Sequence, residues 1–133
     1  MTFDNFTVKA QEAIFEAQNL TSSLGQQTVD TPHLLGGILK AEESVAEFLL
    51  SKCGVNIPVF KNQLEQLIRT YPKVEGGSKE YLSNDANKAL SKAKSLLTEM
   101  GDEYISVELL LLAIAAGNDK GSKLLKESGV SFD

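Results

Sequence analysis

Val8–Gly25 reads VKAQEAIFEAQNLTSSLG, and Asn84–Gly101 reads NDANKALSKAKSLLTEMG. These are two versions of one helix. A shift of 76 positions carries Ala10, Ala13, Ala17 and Leu20 onto Ala86, Ala89, Ala93 and Leu96, and Gly25 onto Gly101. Spacings of three and four place those apolar residues on one helix face. Each stretch follows a hydroxyl residue, Thr7 or Ser83, where an N-cap belongs. Each ends on a glycine where a left-handed residue closes a helix. The alanines leave room for another helix to come close.

The match extends outward. The same shift carries Leu34, Leu35 and Ile38 onto Leu110, Leu111 and Ile114. After one deletion the shift is 75, and Leu49, Leu50, Gly54 and Val55 fall on Leu124, Leu125, Gly129 and Val130. Phe6 with Leu82, Leu24 with Met100 and Val29 with Ile105 are conservative matches. An Ala- and Leu-rich chain gives some matches by chance, but not the aligned helix-ending glycines. The chain reads as an internal duplication. The expected fold is all-α: a pseudo-twofold bundle of two tandem helical repeats, about seven or eight helices. One domain spans residues 1–133, with repeat one at 6–70, a linker at 71–82 and repeat two at 83–133. The seam between such halves is a natural place for a groove.

Between the two key stretches, Thr31-Pro32 predicts a capped helix start with Pro at N1. Gly36-Gly37 inside that helix costs about 1 kcal/mol per residue, which predicts a close backbone neighbour. Ser44-Val45-Ala46-Glu47 reads as a capping box opening a third helix that ends at Gly54. Pro58 predicts the N1 of a fourth, stopped by Pro72. Gly76-Gly77-Ser78 is the flexible part of the linker. Helix six follows Ser106, and helix seven covers residues 121–128. No segment alternates long enough to predict a strand. The chain ends where an eighth helix is expected, which reads as a piece of a longer protein.

At 133 residues and 42% hydrophobic, the chain can bury a core. Its net charge of −5 speaks against non-specific nucleic-acid or anionic-membrane binding. A single Cys53 allows no internal disulfide. No secretory signal or membrane-length apolar run is visible, so a cytoplasmic address is expected. One His and one Cys, twenty residues apart, make no metal cluster. His33, at the start of an apolar helix, reads as a capping or packing residue, and Cys53 as a small filler at a helix end. Gly76-Gly77-Ser78-Lys79 lacks the spacing of a phosphate loop. No nucleophile or zinc-hydrolase motif is present. Catalysis by this chain is not expected.

FTVKAQEA (6–13), TPHLLGGIL (31–39) and GDEYISVELLLLAI (101–114) agree in order and spacing with the Clp N-terminal domain, which the whole chain resembles. That double repeat heads Clp-type AAA+ unfoldases. PKVEGG (72–77) and SVELL after Ile105 look like the ClpB disaggregase version. Relatives of the ClpC type carry Thr-Glu-His-Leu-Leu in both repeats, with glutamates that serve phosphoarginine recognition. Here Pro32 stands in place of the first Glu and Leu109 in place of the second His. The paired site is not carried over intact.

The resemblance implies a mobile N-domain on two ATPase modules, which would hold ATP and Mg; no cofactor is expected in this chain. The parent would be a homohexamer working with a DnaK-type chaperone, and this piece alone a monomer. The domain would capture exposed apolar segments of unfolded or aggregated polypeptide. The alternatives are an adaptor- or degron-docking domain of a protease-linked ClpA/ClpC-type unfoldase, and a regulatory spacer that binds nothing. By resemblance, Thr7, Asp102 and Glu108 match positions implicated in client handling, and Leu90 and Leu109 are candidates for an apolar floor. Thr7 also reads as a helix cap, Asp102 as a residue after a C′ glycine, and Glu108 as a carboxylate suited to a helix N-terminus.

Overall fold

The computed structural model describes residues 3–75 and 79–130. In chain order the elements are α1 (Val8–Ser23), β1 (Thr28–Val29), α2 (Thr31–Ala41), α3 (Glu43–Lys52), α4 (Ile57–Arg69), β2 (Tyr81–Leu82), α5 (Asn84–Met100), α6 (Val107–Ala115) and α7 (Lys120–Glu127). The expected all-α bundle is present.

The helix ends repeat as the sequence does. Thr7 and Ser83 cap α1 and α5, accepting from Ala10 N and Ala86 N. Gly25 and Gly101 both sit at φ 71°, and the amides after them, Gln26 N and Asp102 N, reach back to Thr21 O and Leu97 O. Gly54 and Gly129 close α3 and α7 alike: Val55 N and Val130 N donate to Leu50 O and Leu125 O. A β-carbon is disfavoured at such φ values, so the aligned glycines are a backbone requirement.

The repeats are locked by an exchange of edges. Phe6 pairs in parallel with Ile105, and Thr7 N donates to Ile105 O at 2.8 Å. Thr28–Val29 pair in parallel with Tyr81–Leu82, and Ser83 N donates to Val29 O at 2.9 Å. Shifted by 76, the first pair becomes the second with its partners swapped. A twofold relation between the halves gives this reciprocity. It corrects the expectation of no strand: two residues per strand are too few for an alternating pattern.

α2 is the central helix, touching all six others. It is buried from Thr31 to Leu35 and at Gly37 and Ile38, so its sequence is apolar nearly all round. A Cβ on Gly37 would overlap Ala13 O and stand 2.9 Å from Ala17 N. The close backbone foreseen from Gly36-Gly37 is α1, at its alanines. Gly36 faces a side chain instead, Leu20 Cδ2 at 2.8 Å from an added Cβ.

Several caps differ from expectation. Asp30, not Thr31, caps α2, and Pro32 is its second residue. The capping box is there: Asp30 and His33 bond each other's backbone and side chain. At α3 the helix starts at Glu43 and has no side-chain cap, so Ser44–Glu47 forms no box. Asn56 caps α4, which puts Pro58 second. Asp119 caps α7, which begins at Lys120. Cys53 is exposed rather than a filler. Gly76–Ser78 and residues 131–133 lie outside the described residues.

A buried polar cluster ties the elements at α2's N-terminus. Asp30 accepts from Tyr71 OH at 2.5 Å, Ser83 Oγ at 2.7 Å and Thr31 N at 2.8 Å. Thr31 Oγ1 donates to Asp119 Oδ1 at 2.6 Å. His33 Nδ1 accepts from Asp30 N at 3.1 Å, so its Nε2 carries the proton and donates to Gln26 Oε1 at 2.7 Å. Burial holds the His33 pKa down at about 4 against the pull of Asp30, so the ring is neutral near pH 7. Burial works against ionising Asp30. The Tyr71 and Ser83 hydroxyls and the Thr31 amide outweigh it and keep the carboxyl below its ordinary range. Burial, then Asp30, pushes the Tyr71 phenol well up.

Candidate functional site

α5 ends at Gly101, and the chain turns back through Asp102 to α6. Ser106 caps α6, accepting from Leu109 N at 3.1 Å. This turn leaves a 240 Å³ concavity lined by Met100, Asp102, Ser106, Glu108, Leu109 and Leu112. Three of the residues singled out from the sequence, Asp102, Glu108 and Leu109, meet there.

The concavity is apolar inside and acidic at its edge. Leu109 is only 6% exposed, a floor rather than a flap. Leu112 is half-buried, and Met100 is 55% exposed, a flexible side chain at the mouth. The exposed carboxylates of Asp102 and Glu108 form none of the ion pairs among the described residues. Glu108 sits in the first turn of α6, where the helix dipole favours its charge. An apolar side chain with a cationic or N–H-bearing neighbour satisfies both parts.

Thr7 is half-buried and does not line this concavity. Its hydroxyl is occupied as the α1 cap. Its amide joins Ile105 O, next in sequence to Ser106, which places Thr7 beside the site. Leu90 is 0% exposed. It belongs to the inward stripe of α5 with Ala86, Ala89, Ala93, Leu96 and Leu97, so a ligand in the concavity does not reach it in this conformation. The concavity is formed by α5 and α6 of the second repeat. This concavity therefore lies within repeat two and not across the seam between the repeats.

Met100, Ser106 and Leu112 complete the site and were not singled out from the sequence. The duplication held the signal for two of them. Leu24 and Gly36, the counterparts of Met100 and Leu112, line a 240 Å³ apolar groove with Leu64 and Ile68 of α4. Repeat one roofs this face with its fourth helix. Among the described residues no helix takes that place in repeat two. In repeat one His33 replaces Leu109 and Pro32 replaces Glu108, so the polar capping cluster stands where repeat two has its acidic concavity.

Among the described residues, no three His, Cys, Asp or Glu side chains gather as a metal site requires. His33 is fully buried and Cys53 exposed, so they form no nucleophile pair. No helix among the described residues is long and apolar enough to cross a membrane.

The Clp repeat (R) N-terminal domain matches residues 5–128. The chaperone protein ClpB of Bacteroides thetaiotaomicron is 41% identical over 131 residues, covering 98% of this chain and 15% of that protein. ClpB of Porphyromonas gingivalis is 37% identical over 131 residues, again 98% of this chain and 15% of the relative. The chain thus spans a small part of the length of these relatives. Among solved structures, the Hsp104 N-terminal domain from Candida albicans superposes with a TM-score of 0.84 at 20% identity, covering 97% of this chain and 85% of that one. The N-terminal domain of the Arabidopsis thaliana chaperone ClpD gives 0.73 at 22% identity, with 99% and 90% covered. At those identities the likeness is one of fold. The matched region is a non-catalytic helical domain. The chain belongs to the Clp repeat (R) N-terminal domain family.

Proposed function

We propose that this domain captures exposed apolar segments of unfolded or aggregated polypeptide for a ClpB-type AAA+ disaggregase. The supporting observation is the concavity in which Met100, Leu109 and Leu112 lie beside the carboxylates of Asp102 and Glu108. An unfolded chain offers apolar side chains and unpaired peptide N–H groups but no fixed shape. A shallow apolar floor takes the former, and the carboxylates accept from the latter or from a neighbouring Lys or Arg. Such binding is weak, because ordering a disordered segment costs entropy. Weakness lets a captured segment move on.

The similarity to ClpB supports the rest of the reading. The parent hexamer would bind ATP and Mg in its ATPase modules, thread the captured segment and work with a DnaK-type chaperone. Pro32 supports the disaggregase reading over phosphoarginine docking, because repeat one lacks the carboxylate that a paired site needs.

The test is a titration of the isotope-labelled domain with a permanently unfolded protein, followed by backbone amide shifts. Shifts at Met100, Asp102, Leu109 and Leu112, reduced in an Asp102→Asn/Glu108→Gln variant, are expected. Absence of shifts at high client concentration would refute capture by this domain.

A further inference from the structure

A second concavity, of 650 Å³, lies between α4 and α7 and so joins the two halves of the sequence. Each wall presents one helical stripe. α4 contributes Gln63, Gln66 and Leu67, and α7 contributes Lys120, Lys123 and Leu124. The spacing is i, i+3, i+4 on both walls, so each stripe occupies one helix face. Thr70 and Glu127 carry the two stripes to i+7. Leu124 is buried and Leu67 half-buried, while the glutamines and lysines are exposed around them.

The charge here is opposite to that of the acidic concavity. The whole chain carries −5, yet this groove has two ammonium groups against one carboxylate, Glu127. Lys120 Nζ stands 4.7 Å over the Tyr71 ring, which holds it at the groove. The ion pairs among the described residues use Lys9, Lys61 and Arg69, which leaves Lys123 available. The α4 wall is neutral and rich in amides, each with a donor and an acceptor.

We propose that the α4–α7 groove binds an extended acidic segment of polypeptide, with one apolar side chain against Leu67 and Leu124. Carboxylates flanking that side chain meet Lys120 and Lys123. The amides of Gln63 and Gln66 pair with the peptide groups of the segment, which an extended backbone leaves open. The length of the stripes, eight residues from first to last on each wall, suits a segment of a few residues. The proposal is independent of client capture at Asp102 and Glu108.

The test uses the 133-residue chain, isotope-labelled, and two capped peptides, Glu-Glu-Leu-Glu-Glu and Lys-Lys-Leu-Lys-Lys. The acidic peptide is expected to shift the amides of Leu67, Thr70, Lys123 and Leu124, and the basic peptide is not. Lys120→Glu with Lys123→Glu is expected to weaken the acidic peptide about tenfold. Lys123→Glu alone serves if loss of the Tyr71 contact disturbs folding, and about threefold weakening is expected. Equal shifts from both peptides, no shift at millimolar acidic peptide, or unchanged affinity in Lys123→Glu would overturn the proposal.

Discussion

Acidifying the domain from pH 6.5 to 5 should cost about 2 kcal/mol of stability, with His33 responsible. The ring is fully buried between Asp30 N and Gln26 Oε1, and its pKa falls from 6.5 to about 4. The unfolded chain therefore takes up the proton first as the pH drops. Stability from this group is complete above 6.5 and lost between 6.5 and 4. At 1.36 kcal/mol per pH unit the full window amounts to about 3 kcal/mol, a substantial share of a typical domain's 5–15. Stopping at pH 5 keeps the window above the ordinary carboxylate range, and the chain has one histidine, so no other side chain competes there. Urea unfolding followed by helical circular dichroism, repeated at half-unit steps of pH, measures the slope. The control is His33→Gln. Gln at the third residue of α2 completes a capping box with Asp30, because its carbonyl accepts from Asp30 N and its amide donates to Gln26. It keeps the hydrogen bonds and removes the titration. That variant should be flat from pH 6.5 to 5 and start about 1 kcal/mol less stable, having lost the ring packed on Tyr71. A flat wild-type profile, or the same slope in His33→Gln, would refute the assignment.

Other perturbations separate structure from capture. Gly37→Ala should destabilise by about 2–3 kcal/mol in thermal melts, despite alanine's better helix propensity, because its Cβ meets the α1 backbone. Gly36→Ala should be near neutral in the same melts, since the flexible end of Leu20 can move aside. Asp30→Asn should cost about 2–4 kcal/mol by calorimetry, because a neutral amide cannot serve Tyr71, Ser83 and Thr31 together. Thr7→Ala should cost about 1 kcal/mol as a lost cap. Glu108→Ala should leave stability within about 0.5 kcal/mol and reduce client-induced shifts, which would separate a surface contact from a structural role.

The duplication was legible because its constraints are local. Helix faces, the caps Thr7, Ser83 and Ser106, and four glycines at positive φ act within a few residues of sequence. The Asp30 cluster was not legible, because its partners Tyr71, Ser83 and Asp119 stand 41 to 88 positions away. Thr31 looked like the cap of α2 for the same reason: its hydroxyl is suited to the task but is engaged by Asp119 and Gly121. At the candidate site, Asp102, Glu108 and Leu109 fall within one turn and one cap, so their meeting follows from sequence proximity. The full burial of Leu90 was not legible, because an apolar stripe does not declare which leucine is surplus to the core. α5 uses all of its stripe. The α4–α7 groove joins residues some sixty positions apart, and no local pattern announces it.

The crossed edges say something about ancestry. Phe6 pairs with Ile105 and Leu82 pairs with Val29, so neither half closes its own edge. One half alone would expose that edge, and a symmetric pair of identical halves would satisfy both. The present chain has the geometry of such a homodimer joined end to end. Tethering turns a second-order encounter into an internal one, with partners held at an effective concentration of about millimolar. Within one chain the halves need not be identical. One could spend its helix cap on the Asp30 cluster while the other opened an acidic concavity at the same address.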